Sequence, residues 1–200
     1  MTMTNVYKKI DRCRICGSKD LTKYLDLGKN PLANSVVNLK DRSKKEPKFL
    51  LEVLYCNNCS LSQLSVVVHP KILFLRYVYR SSISKTFRKH CAKMADDVTS
   101  LLGSRKKRLV LDIASNDGCL LEQFKKKKFM VIGVEPAENI AKIANSKGIE
   151  TLCKFWDDGV AETILEKYGK AQAITATNVF AHVDDLNSFL KAVSILLDKN

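Results

Sequence analysis

The sequence predicts an α/β chain in two parts, a small zinc-binding domain followed by a doubly wound, Rossmann-like core. Three observations carry this prediction. From residue 107 onward, short apolar runs alternate with helical patterns, the order that builds a parallel sheet covered by helices. Two Cys-x-x-Cys pairs lie upstream, Cys13/Cys16 and Cys56/Cys59. A turn of small and polar residues, Ala114 to Gly118, follows the first core strand, and an acid, Glu135, closes the second. Open α/β sheets bind ligands at those carboxyl ends.

The expected boundaries are residues 1–83 for the zinc domain, 84–106 for a linking helix and 107–200 for the core. In the first part, each cysteine pair can form a knuckle presenting two thiolates, and two knuckles complete a tetrahedral zinc site. Gly17 behind the first pair suits a tight turn. Leu50–Tyr55 reads as a strand entering the second knuckle, followed by Leu61–Val68. Four sulfurs leave no open position for water, so the metal is expected to be structural. An iron–sulfur centre is the alternative for the same ligands.

The linking helix rests on Phe87, Cys91, Met94, Val98 and Leu101, spaced by three and four. In the core, Leu109–Ile113 reads as a buried parallel strand, Cys119–Lys125 as a helix and Phe129–Val134 as the second strand. The helix Asn139–Lys147 follows, with Gly148 as its stop. Then come a strand at Ile149–Cys153, a helix at Ala161–Tyr168, a strand at Ala171–Thr177 and a helix at Asp184–Asp198.

The candidate binding residues cluster behind the strands. Ala114, Ser115, Asn116, Asp117 and Gly118 let the backbone approach a ligand. The turn lacks the G-x-G-x-x-G of a dinucleotide site. Asp112 and Asp117 suit the amino group of a sulfonium-bearing amino acid, and Glu135 can accept from both ribose hydroxyls. The alternative is that Asp112 only caps a turn and Glu135 is a solvated loop residue. Phe155 and Trp156 can line an adenine pocket and Asp157 can meet its amino group, or Trp156 can serve in packing. Asn178 and His182 follow the fourth strand, where an imidazole can orient or deprotonate a substrate. A core histidine is the other reading.

The chain carries 34 basic and 21 acidic side chains, a net charge of +13. Such a surface favours anionic partners. The runs Lys44-Lys45, Arg105–Arg108 and Lys125–Lys128 fall between elements, without interleaved aromatics. That pattern disfavours nucleic acid, although a nucleic-acid-binding zinc ribbon draws on the same charge and cysteines. No stretch reaches 18 apolar residues, so no membrane span is expected. Met1–Asp11 lacks an apolar signal core, and paired thiols suit a reducing compartment. These features predict a cytoplasmic protein.

The order and spacing of several pieces resemble the N-terminal half of the zinc-containing, S-adenosylmethionine (SAM)-dependent sugar C-methyltransferases. The pieces are Cys13-Arg-Ile-Cys-Gly17, Leu25-Asp-Leu-Gly28, Pro31-Leu-Ala-Asn34, Cys56-Asn-Asn-Cys59 and Leu61-Ser-Gln-Leu64. They continue with Tyr77-Val-Tyr79-Arg-Ser-Ser82, Leu111-Asp-Ile-Ala-Ser-Asn-Asp-Gly118, Gly133-Val-Glu-Pro136 and Asn178-Val-Phe-Ala-His182. The resemblance implies zinc on Cys13, Cys16, Cys56 and Cys59. It implies a SAM turn over Asp112–Gly118 and a ribose acid at Glu135, next to Pro136. It puts a substrate-site tyrosine at Tyr79, or Tyr77 beside it, and a histidine at His182. The implied reaction is methylation of a nucleotide-linked 4-keto-deoxysugar at C3 through an enolate.

Ala114 stands where the family carries glycine, which its methyl group permits only if φ stays negative. Members of that family run to about twice this length. The expected core is therefore a truncated methyltransferase sheet with an open edge and an unburied last helix face. Activity is then expected to need a second polypeptide supplying the C-terminal half. The alternatives are an inactive remnant and a SAM-binding scaffold.

Overall fold

A computed structural model describes residues 6–103 and 109–198. The basic run Arg105–Arg108 and the end of the expected linking segment lie outside these residues. The chain divides into two compact units, residues 1–75 and 76–200. The segment 76–83, expected in the zinc domain, groups with the second unit. Its backbone hydrogen-bonds to Asn116, Asp117 and Asn139, all in the core.

The first unit contains β1 (Tyr7–Lys9), β2 (Leu21–Pro31), β3 (Lys48–Cys56), β4 (Ser62–Leu64), β5 (Val66–Val68) and the short α1 (Pro70–Phe74). β2, β3 and β4 form an antiparallel sheet, and β1 pairs antiparallel with β5. The expected strand Leu61–Val68 breaks at Ser65, whose N–H donates to the Glu52 carbonyl and whose hydroxyl donates to the Glu52 carboxylate at 2.6 Å. Its apolar interior is small: among the described residues the buried apolar side chains are Cys13, Cys56, Val66 and Val68.

The second unit contains α2 (Lys85–Leu102), β6 (Leu109–Ile113), α3 (Cys119–Lys126), β7 (Met130–Val134), α4 (Glu138–Ser146), β8 (Thr151–Leu152), α5 (Asp158–Tyr168), β9 (Ala173–Thr175) and α6 (Leu186–Leu196). The four strands pair in parallel in the order β8-β7-β6-β9. Side chains alternate across β6. Leu109, Leu111 and Ile113 join the interior made with α5 and α6, whereas Val110 joins the layer made with α2 and α3. Helices on both faces explain why β6 is buried throughout.

Two packing expectations are corrected here. Leu101 is 85% exposed, and Leu102 packs in its place beside Phe87, Met94 and Val98. The helix turns by 100° per residue, so Leu102, four residues after Val98, keeps the buried face. The last helix also buries its core face more fully than expected: Leu186, Phe189, Ala192 and Leu196 are all buried, and Leu190 is 51% exposed. Beyond it, Leu197 forms an isolated parallel bridge with Ala171 on the outer side of β9.

Gly133 in β7 allows the turn after β6 to approach. A methyl group there would overlap the Ser115 hydroxyl and lie 2.8 Å from Thr151 Oγ1. Gly133→Ala is expected to destabilise the second unit by about 1–3 kcal/mol, the usual cost of overpacking. Urea unfolding measures this directly, and an unchanged midpoint would contradict the close approach.

Candidate cofactor site and metal centre

Each cysteine knuckle closes in the same way. The Gly17 N–H donates to the Cys13 carbonyl and the Ser60 N–H to the Cys56 carbonyl, both at 2.9 Å. Gly17 and Ser60 both take positive φ, +73° and +63°, so the second knuckle imposes on serine what glycine does freely in the first. Gln63 on β4 is buried and braces the first knuckle from both sides. Its side-chain oxygen accepts from the Arg14 N–H, and its amide donates to the Arg12 carbonyl, both at 2.9 Å. Gln63 belongs to the quoted motif Leu61–Leu64, but its task became visible only through contacts some fifty residues distant.

The four Sγ atoms lie within 4.8 Å of one another. Cys13 and Cys59 are 3.4 Å apart, and Cys16 and Cys56 are 3.6 Å apart. Tetrahedral zinc with sulfurs at about 2.3 Å separates them by roughly 3.8 Å. The cluster can therefore hold a metal ion such as zinc, and its four-sulfur donor set matches a structural site. The Asn58 side chain and the Ser18 backbone bring the Cys16 pKa down to about 6.

At the other site, β6 delivers the chain into a turn with alternating backbone handedness. Ala114, Asn116 and Gly118 have φ of +52°, +51° and +76°. The condition set for Ala114 therefore fails: alanine occupies a left-handed position where glycine is at ease. Ala114→Gly is expected to stabilise the unit by about 1 kcal/mol, as relief of left-handed strain outweighs added chain entropy. Thermal unfolding of the two proteins tests this, and a lower Tm for the glycine variant would refute it.

Glu135 folds back on this turn. It accepts from the Asn116 N–H at 3.0 Å and the Ala137 N–H at 2.8 Å. Burial raises its pKa, while those N–H groups pull the other way. Each carboxylate oxygen retains a second lone pair for a ligand hydroxyl. Pro136 carries the chain from Glu135 toward α4. Ser115 Oγ and Asp117 Oδ1 are buried without a hydrogen-bond partner among the described residues. Such orphaned groups in a turn that approaches the second strand suit a polar ligand such as SAM.

Asp112 lies within β6, inside the expected strand Leu109–Ile113, is 4% exposed, and accepts from Thr175 Oγ1 at 2.7 Å. Thr175 is its register neighbour on β9, so the two side chains share a sheet face. Burial pushes Asp112 up to about 7 despite that hydrogen bond. Asp117 is fully buried and accepts from the Ser82 hydroxyl and from Lys147 Nζ at 3.2 Å.

The segment 76–84 forms a strap tied to this turn. Asn116 donates to the Tyr79 carbonyl at 3.1 Å and accepts from the Ser81 N–H at 2.9 Å. Asn139 in α4 grips Tyr77 in the same two-way manner, at 2.7 and 3.3 Å. Tyr77 is half-buried and Tyr79 exposed. The structure thus brings the turn, Glu135 and the two tyrosine positions together. Asn139, Lys147 and Thr175 were absent from the candidate set because their partners are distant in sequence.

Other candidates have structural tasks or stand apart. Trp156 packs on the core, and its Nε1–H donates to the Phe189 carbonyl at 3.3 Å. Asp157 caps α5 by accepting from the Val160 N–H at 2.8 Å. Phe155 is half-buried. Asn178, at φ +55°, and His182, in a 3-10 turn over Phe180–His182, are both exposed. The core reading of His182 is therefore excluded. The lysine run after α3 is engaged locally: Lys125 holds the Gly148 carbonyl, Lys126 pairs with Glu122 and Lys127 with Asp96. No helix among the described residues is long and apolar enough to cross a membrane.

Comparison with known proteins finds two family matches along the chain. Residues 85–200 match a family described as "Methyltransferase domain". The chain belongs to this methyltransferase family. Residues 13–74 match a second family, described as "Putative zinc binding domain". The chain is 34% identical over 195 residues to the C-methyltransferase NovU of Streptomyces niveus, covering 98% of this chain and 46% of that protein. It is 31% identical over 102 residues to a ubiquinone biosynthesis O-methyltransferase of Bordetella avium (strain 197N), covering 50% and 42%. The chain thus spans less than half the length of these methyltransferases. A SAM-dependent methyltransferase from Archaeoglobus fulgidus overlaps 56% of this chain and 48% of its own, at 18% identity and a TM-score of 0.45.

Proposed function

We propose that this methyltransferase chain contributes the cofactor half of a SAM-dependent C-methylation, with a nucleotide-linked 4-keto-deoxysugar as acceptor and C3 as the reacting carbon. The observation that carries the reading is the relation to a C-methyltransferase over 98% of the chain, through both cysteine pairs, the strap and the turn. When bound, SAM supplies a methyl group on a sulfonium. Glu135 holds the ribose hydroxyls, the turn Ala114–Gly118 cradles the amino-acid end, and Phe155 borders the adenine.

The acceptor's chemistry sets the remaining roles. Its C4 carbonyl acidifies the C3 proton, a base removes that proton, and C3 forms its bond to the methyl carbon as the sulfur–methyl bond breaks. His182 and Asn178, exposed beyond β9, are suited to move the proton and orient the sugar. The Tyr79 hydroxyl, with Tyr77 next to it, is suited to hold the enolate oxygen. The zinc domain keeps its metal in a reducing cytoplasm. Full activity in this proposal also requires a complementing half, provided by further residues or by a second polypeptide. The greater length of NovU and the outer edge of β9 support that requirement.

The test is transfer of labelled methyl from SAM to a nucleotide-linked 4-keto-6-deoxysugar, by the zinc-loaded chain alone and with the complementing half added. Transfer only in the mixture is the expected result. Transfer by the chain alone would remove the need for a second half. Its absence in both, with SAM still bound, would favour a binding or remnant role.

A further inference from the structure

The strap offers more than two tyrosines. Residues 76–95 contain Arg76, Arg80, Lys85, Arg88, Lys89 and Lys93 and no carboxylate. Many lysines elsewhere in this unit are matched by carboxylates, including Lys126 with Glu122, Lys142 with Glu138, Lys167 with Glu150 and Lys191 with Asp158. Arg76 and Arg80 are exposed and meet no carboxylate among the described residues. Arg88 turns back to donate to the Ser82 carbonyl at 2.7 Å and so braces the strap from α2.

The main chain on either side of Arg80 is fixed. The preceding carbonyl, of Tyr79, and the following N–H, of Ser81, both bond to the one side chain of Asn116. Ser82 is anchored in turn to the buried Asp117. The guanidinium of Arg80 is thus free at its tip and rooted on the cofactor turn. Val78, Tyr79 and Ile83 on the same strap are also exposed, at 58%, 47% and 63%. An unpaired, planar fork of donors on a strap that also exposes a ring suits a phosphorylated, ring-bearing ligand.

We propose that the strap is the recognition element for a nucleoside diphosphate group on the methyl acceptor, with Arg80 as its principal phosphate ligand and Arg76 as the second. This deepens the function proposed above and rests on its nucleotide-linked acceptor. The strap then performs two tasks through one set of anchors, since it locates the acceptor's phosphates and keeps them in register with the methyl donor. Preset anchoring reduces the ordering that binding must impose.

The experiment is calorimetric titration of the zinc-loaded chain with dTDP and UDP, repeated for Arg80→Ala, Arg80→Lys and Arg76→Ala, with SAM titrated in parallel. The parent is expected to bind a nucleoside diphosphate with an affinity that falls as salt rises. Arg80→Ala is expected to weaken it by about tenfold or more, the size of a lost charge-assisted hydrogen bond. Arg80→Lys should restore part of the loss, since lysine keeps the charge but not the fork. SAM affinity should be the same in all four proteins. Absence of nucleoside diphosphate binding by the parent would overturn the assignment, as would parent-like binding by both alanine variants. A joint loss of SAM affinity would reduce the arginines to structural supports. Methyl transfer with an unchanged acceptor KM in Arg80→Ala would reject the strap's role and leave the reaction standing. Arg80-dependent binding without methyl transfer in the completed enzyme would do the reverse.

Discussion

Chelation of the metal is expected to unfold the first unit while the second stays folded. The reason is the poverty of the first unit's interior, where among the described residues only Val66 and Val68 join two of the cysteines as buried apolar side chains. A three-stranded antiparallel sheet with so few buried apolar side chains does not exclude enough water to stand alone. Zinc on four thiolates contributes on the order of 10–16 kcal/mol in small zinc domains near neutral pH, as much as the whole stability of an ordinary domain. Cys13→Ser should reproduce the effect, since it removes a buried ligand whose loop is already held by Gln63. Amide hydrogen exchange resolves the two units. Protection in β2 and β3 should vanish on chelation, and protection in β6 and β7 should persist. Retained protection in β3 would mean that the polypeptide, and not the metal, holds this fold. Acid should act as a chelator does, because protons compete for the thiolates.

The second large effect concerns Asp112. Its folded pKa, about 7 against an ordinary 3.8, means that the folded chain binds this proton more tightly than the unfolded chain. Below about pH 4 both states are protonated and the residue is neutral in its effect. Between pH 4 and 7 the unfolded state ionises first, so stability falls as pH rises, and above 7 the full penalty is present. The penalty is on the order of 4 kcal/mol at about 1.4 kcal/mol per pH unit. Asp112→Asn keeps a carbonyl oxygen for the Thr175 hydroxyl and removes the ionisation. The variant should therefore gain on the parent between pH 5 and pH 8 in urea unfolding, and its own stability should be flatter across that range. An equal difference between the two proteins at both pH values would show that Asp112 ionises freely in its place.

These two sites also mark what the sequence makes legible. The metal centre was readable because its ligands come in local pairs, and two pairs of that spacing have few other uses. The alternating core was readable for the same reason: Leu109–Leu111 and Met130–Val134 are continuous apolar runs. Roles set by strand register were not. Asp112 reads as a ligand contact or a turn cap until Thr175, 63 positions later, is seen beside it. Asn139 reads as the ordinary start of a helix until Tyr77 is found in its grasp. The handedness of Ala114 was hidden as well, because alanine gives no local sign of a positive φ. Trp156 and Asp157 follow a strand just as ligand-binding residues do, but one packs the interior and the other caps a helix.

The strap is gripped by its peptide groups. Asn139 and Asn116 touch the main chain at Tyr77, Tyr79 and Ser81 and ignore what those residues carry. Its course is therefore largely independent of the side chains at 78, 79, 80 and 83, which can be exchanged without disturbing the mount beneath them. With the strap as the proposed acceptor-recognition element, acceptor preference is modular in evolutionary terms: the fingers of the glove can be recut while the cuff stays buttoned to the cofactor turn.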